Sequence, residues 1–308
     1  MFQEYALEPE LVATWADRHN YRHFLGQFVI GKPRLIADFP DNWVTKVRAL
    51  ASDFRDTEKK RIEVLLTQMR SVAIKRRGAV FDEEALWIIN AEREHQRQAF
   101  HAIMARENPR GSAYILMGDD ADDGNALWRS ATGMVVNRDG EDIARTINVL
   151  LRSARYIFFI DPFLSPTGSA KKRRAMDAYL KAVAPRAVGC PPVQVEFQMN
   201  GERCGGSHQD FDRDCQARAK FIPAGLSVRF LRWRERPGGL RLHNRYILTE
   251  FGGVQLGHGL DEGDEGDSDD MTLLDREQYQ VRWSQYVGQP PAFDLYDQPI
   301  EVTGTGRP

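Results

Sequence analysis

The stretch Leu242-His243-Asn244-Arg245-Tyr246-Ile247-Leu248-Thr249-Glu250 and its continuation Phe251-Gly252-Gly253-Val254-Gln255-Leu256-Gly257-His258-Gly259-Leu260-Asp261-Glu262 carry the residue types best able to do chemistry. The pattern reads as a short strand, a Gly-Gly turn, a second short strand and a Gly-His-Gly loop that runs into acid. Alternation along the first strand predicts His243, Arg245 and Ile247 on one face and Asn244, Tyr246 and Leu248 on the other. An imidazole beside a guanidinium suits attack on a phosphate. Histidine can be a nucleophile or proton carrier near neutral pH, and arginine can clamp two phosphoryl oxygens at once.

This spacing resembles that of the phospholipase D superfamily, whose pattern is His-x-Lys-x4-Asp followed after six residues by Gly-Ser or Gly-Thr, usually on a β-hairpin. His243 takes the histidine place, Arg245 the lysine place, Glu250 the aspartate place and Gly257-His258 the Gly-Ser place. Arg for Lys keeps the charge, Glu for Asp keeps the acid, and His for Ser changes the chemistry most. The resemblance spans residues 140 to 285. It implies a divergent, phospholipase D-like α/β domain, a mixed sheet flanked by helices, placed at residues 126–308. It also implies a metal-independent phosphodiesterase. His243 would form a phosphohistidine, Arg245 would hold the non-bridging oxygens, and a second histidine would protonate the leaving group, with Glu250 orienting or neutralising it. No cofactor or metal is required by that scheme. Family enzymes bring two motifs together in one chain or a homodimer; with one motif here a homodimer is implied, and His258 offers a second imidazole within one chain. The alternative is a catalytically inactive module of the same fold that binds nucleic acid or a protein partner. Many bacterial members act in defence against foreign DNA, a setting carried here by analogy alone.

Arginines at 229, 232, 234, 236 and 241 interleave with Phe230 and Trp233, a combination that can bind phosphates and stack bases. This favours nucleic acid over lipid and makes a nuclease the leading expectation. Candidate substrate contacts are Asn244, Arg229, Arg232 and Arg234, with Asp161 as a rim residue at the end of the apolar run 156–160. An arginine-rich edge strand that guards against aggregation is the competing explanation of the same residues.

Elements must position these groups. Residues 1–120 read as an N-terminal α/β or helical region and a candidate surface for a protein partner. Short strands are expected at 28–30 and 34–36, and helices from Asp41 and, most clearly, over 83–106, whose middle Glu92–Arg97 reads as polar on nearly every side. Lys75-Arg76-Arg77-Gly78 reads as a solvated basic turn. Ala113–Met117 is an expected strand, and the acidic turn Gly118–Asn125 marks the expected boundary. Beyond it, a helix over 142–153, a strand over 156–160, a helix from 171, strands over 193–199 and 226–234 and the hairpin predict a sheet covered on both faces. Residues 261–270, seven of ten acidic, read as a mobile loop and a candidate autoinhibitory lid. The ends 289–291 and 303–306 read as a loose tail.

The 308 residues carry Lys+Arg 42 against Asp+Glu 44, so a polyanionic ligand would need a local basic patch. Cys190, Cys204 and Cys215 form no Cys-x-x-Cys pair and read as reduced thiols rather than, with His208, a zinc site. No apolar run approaches a membrane span, and the first residues lack a leader pattern, so a cytoplasmic location without membrane partners is expected.

Overall fold

Short apolar runs separated by helices favour parallel strands, because a crossover long enough to hold a helix returns the chain in its original direction. The computed structural model describes residues 1–183 and 194–306 and divides into two units, Met1–Ala131 and Thr132–Pro308. The division falls after the Gly118–Asn125 turn rather than at it.

The N-terminal unit runs β1 Gln3–Leu7, α1 Pro9–Thr14, α2 Arg18–Phe24, β2 Arg34–Asp38, α3 Trp43–Leu50, α4 Asp56–Arg70, β3 Ala73–Lys75, α5 Trp87–Arg97, β4 Ala102–Ala105 and β5 Ile115–Met117. Its sheet is wholly parallel in the order β3-β2-β1-β4-β5. In such sheets ligands favour the carboxyl ends of the strands where the order reverses, here between β1 and β4. There Glu8, straight after β1, accepts hydrogen bonds from the Arg106 backbone N, Nε and Nη2 at 2.7, 3.2 and 3.2 Å.

Four expectations fail in this unit, in whole or in part. The helix over 83–106 is only Trp87–Arg97, because Ala102, Ile103, Met104 and Ala105 are all buried and pair beside β1. Its polar middle is not an exposed partner surface: Glu92 and Glu94 are buried, Glu92 on Arg110 and Ser112, Glu94 on Arg76 and Arg97. In the basic turn Lys75, Arg77 and Gly78 are exposed as expected, but Arg76 is not. Arg76 is 2% exposed and donates to Glu4 Oε1 at 2.8 Å and Glu94 Oε1 at 3.0 Å, with its guanidinium 3.8 Å from the Phe100 ring centroid. A charge so deep persists only with partners. No strand forms over 28–30.

The C-terminal unit runs β6 Gly133–Asn137, α6 Gly140–Thr146, α7 Asn148–Ser153, β7 Tyr156–Ile160, α8 Ala170–Val183, β8 Gln194–Asn200, α9 Gly201–Cys204, α10 His208–Gln216, β9 Ser227–Arg234, β10 Arg245–Thr249, β11 Gly252–Leu256, β12 Ser268–Leu273, α11 Arg276–Tyr286, β13 Asp294–Leu295 and β14 Ile300–Thr303. These make one mixed nine-stranded sheet in the order β13-β9-β8-β7-β10-β11-β12-β6, with β14 also on β9. β7, β8 and β9 are parallel; β10, β11, β12 and β6 follow antiparallel.

One face is knitted by rings. Phe159, Phe197 and Phe230 lie in register on β7, β8 and β9, with centroids 4.7 and 5.4 Å apart, and Tyr179 of α8 stacks on Phe159 at 4.9 Å. Each buried ring contributes about 1.5–3 kcal/mol by leaving water. The other face carries α11, whose Trp283 meets Phe158 edge-on. The Asp275–Gln278 capping box starts that helix. The tail is not loose: β14 pairs with β9, and Gly304 N donates to Leu226 O. Val193 and Cys190 lie outside the described residues.

Candidate functional site

The hairpin forms where expected, but its first strand starts three residues late. β10 begins at Arg245, so His243 is not on the strand; it stands in the exposed segment that leads into it. From Arg245 onward the alternation holds. Ile247 pairs with Phe159 on the α8 face, so Arg245 shares that face, while Tyr246 turns to Arg282 and Tyr286 of α11. Asn244 donates to the Tyr246 hydroxyl at 2.8 Å, so it braces the strand rather than a substrate.

β10 pairs with β11 from Arg245–Leu256 to Thr249–Gly252. His243 and His258 therefore each lie two residues beyond the same end of the ladder. β7 reaches that end as well: Ile160 pairs with Tyr246, which brings Asp161 beside Arg245. Asp161 is 2% exposed and accepts from Leu260 N and Phe163 N, each at 2.8 Å. Burial pushes its carboxyl above the ordinary value, against these two N–H groups and the Arg245 charge. Gly259 must be small here, since a Cβ would come within 2.9 Å of Asp261 and 3.3 Å of Asp161.

Arg245 is the distinctive group. Its Nε is buried without a hydrogen-bond partner, and among the described residues its guanidinium makes no ion pair; it stands 5.4 Å from the Phe163 ring centroid. A half-buried cation with no direct ion-pair partner, only the charge of Asp161 nearby, favours an incoming anion.

His258 is oriented by a residue that sequence reasoning passed over. Its ring is 68% exposed, and Nδ1 lies 3.2 Å from Oδ1 of Asp269, whose side chain is 1% exposed. Asp269 also accepts from Gly257 N, His258 N and Asp270 N at 3.1, 2.9 and 2.8 Å. Burial raises this carboxyl, but the bonds from His258 and the neighbouring amides outweigh it and hold the group below the ordinary value. Within an acidic run, Asp269 looked like one more solvated charge. Its position opposite Val136 on β6, with its side chain turned into the unit, became evident only from the ladder.

Glu250 is not part of this constellation. It stands past the opposite end of β10 and accepts from Arg155 N at 2.6 Å and Tyr156 N at 3.1 Å, pinning the start of β7. The arginines of β9 also divide. Arg232 is 1% exposed and bound to Asp297 and to the carbonyls of Gly205 and Gly206, and Arg229 donates to buried Glu196 at 2.6 Å. Their charges are compensated inside the fold. Arg234 is exposed, over the Tyr296 ring. β9 is no edge strand, since β13 and β14 cover its outer side.

The acidic run is likewise not a free loop. Asp261 pairs with Arg138 at 2.8 Å, Glu262 with Arg174 at 2.6 Å and Asp264 with Lys171 at 2.5 Å, while residues 268–270 enter β12. None of these carboxylates is paired with Arg245.

The thiols do not join the site: Cys215 is buried, and burial pushes the Cys204 thiol up to about 11, which keeps it protonated near neutrality. His208 contacts Asp297, and no group of three or more candidate metal ligands occurs among the described residues. No helix among them is long and apolar enough to cross a membrane. Comparison with protein-family models and with curated proteins finds no match to this chain.

Proposed function

We propose that the C-terminal unit is a phospholipase D-like phosphodiesterase, acting as a nuclease through a histidine nucleophile. The observation that carries this reading is the Arg245 guanidinium, without an ion pair among the described residues and with its buried Nε unbonded, at the hairpin end where His243 and His258 both emerge. A phosphodiester seated on Arg245 presents phosphorus to His243. The imidazole attacks, the P–O bond to the leaving oxygen breaks, and protonated His258 gives that oxygen its proton. Neutral His258 then takes a proton from water as it attacks phosphorus, and the P–N bond breaks to free His243. Arg245 offsets the charge that builds on the non-bridging oxygens. Asp269 holds Nδ1 of His258, which aims Nε2 outward. With His258 in this role one chain supplies both imidazoles, and a homodimer is not required.

A second reading, a nucleic-acid-binding module without turnover, is favoured by one observation: among the described residues His243 has no hydrogen-bond partner to orient its ring. Incubation of wild type and His243→Ala with labelled single- and double-stranded DNA and RNA in EDTA separates the two. Cleavage by wild type and its loss in the variant support the enzyme. Salt-sensitive binding without cleavage by either supports the module.

A further inference from the structure

Phe163 is 37% exposed, the only Phe, Tyr or Trp among the described residues that presents more than a third of its surface. It follows Asp161-Pro162 in the turn after β7, so it stands at the same end of the sheet as Arg245. Three cations gather on its ring: Arg203 with its guanidinium 5.0 Å from the centroid, Arg245 at 5.4 Å and the Lys172 ammonium at 5.9 Å. Among the described residues, none of the three side chains is ion-paired with a carboxylate. The contrast with their neighbours is sharp, because Lys171 and Arg174 on the same helix are paired with Asp264 and Glu262. Three like charges around one ring repel one another; the buried Asp161 carboxylate beside Arg245 offsets part of that cost, and an anion seated between the cations would offset more. The exposed apolar surface is a single ring set among cations, not a patch that would enter a lipid layer.

We propose that Phe163, with Lys172, Arg203 and Arg245 around it, is a stacking platform for an unpaired base of single-stranded nucleic acid whose phosphates these cations hold. The exposed part of the ring and the adjoining guanidinium planes take the base; Arg245 takes the phosphate that faces His243. Stacking tolerates any base, so the preference is for strandedness rather than sequence. A paired base is already stacked in its duplex and cannot lie on the ring. The inference rests on reading this end as a phosphodiester site. It is tested as binding by the His243→Ala chain, so its outcome does not depend on turnover.

The measurement is fluorescence anisotropy of a labelled oligothymidylate, the matching duplex and an abasic strand of the same length, at fixed and then varied salt. In the His243→Ala background the oligothymidylate should bind more tightly than the duplex or the abasic strand. Adding Phe163→Ala should weaken it by between about 5-fold and 100-fold. Phe163→Tyr, which keeps the ring, should retain binding and serve as the folding control. Arg203→Ala and Lys172→Ala should each flatten the dependence of log K on log salt by about 0.7. Equal binding of the abasic strand, equal binding by Phe163→Ala, or Phe163-dependent binding to phosphatidylglycerol vesicles instead of the strand would each overturn the proposal.

Discussion

Two arginine-and-phenyl clusters in this protein are alike in parts and opposite in consequence. In the N-terminal unit Arg76 lies over Phe100 with two carboxylates on its guanidinium, all of it out of water. In the C-terminal unit Arg245 lies toward Phe163 with no carboxylate bonded to it and two more cations beside it. The first arrangement is a closed circuit of charge, which holds strands and helix together and has no capacity left for a ligand. The second is open, and its electrostatic deficit is what a phosphate would fill. Counting arginines in the sequence cannot separate them; counting each one's partners does.

The comparison breaks most visibly at Arg76. Arg76→Ala leaves Glu4 and Glu94 buried without this partner and should cost about 3–5 kcal/mol in denaturant unfolding. If it costs less than about 1 kcal/mol, the circuit is not structural. Arg245→Ala should do the reverse. Cleavage should fall by about 10²- to 10³-fold, as for loss of one transition-state donor, while the unfolding midpoint stays nearly unchanged.

Glu250→Ala tests which end of β10 matters. Removing the acceptor of two backbone N–H groups should destabilise by about 1.5–3 kcal/mol, with cleavage per folded molecule unchanged. A selective loss of cleavage would return Glu250 to the catalytic group.

Asp269 gives a dependence on pH. Its folded carboxyl lies below the ordinary 3.8, so its stabilising contribution is present above that value and is lost as pH falls through the lowered one. Asp269→Asn should flatten this part of the acid unfolding curve, and should lower cleavage by loosening the His258 ring without abolishing binding of the strand. The smallest effect is expected at the exposed pair Arg48–Glu63, where Arg48→Ala should cost about 0.2–1 kcal/mol, less at high salt.

Much of the layout was legible in the sequence because local physics decides it. The apolar run 156–160 and the two strands of the hairpin form as their residue types demand, although the turn is Glu250-Phe251 and both Gly252 and Gly253 lie in β11, and the α/β class follows from the alternation of strands and helices. The alternation that puts Arg245 and Ile247 on one face also holds. Around the site, what failed were chiefly readings of charge. Glu250 kept the family-like spacing yet serves the start of β7, and Arg232 sat among phosphate-binding signals yet is locked to Asp297. Asp269 hid in an acidic run and Phe163 in a turn.

The sequence by itself determined the presence of elements such as β7 and the hairpin, since periodicity acts within a few residues, but not their bounds: β10 starts at Arg245 and the helix expected over 83–106 is Trp87–Arg97. Only the tertiary structure decided which charges are compensated and which are left open. A side chain's partner lies as far as 126 positions away along the chain, as the bond from Gln3 to Arg129 illustrates, and electrostatic energy depends on that distance in space and on the water excluded between.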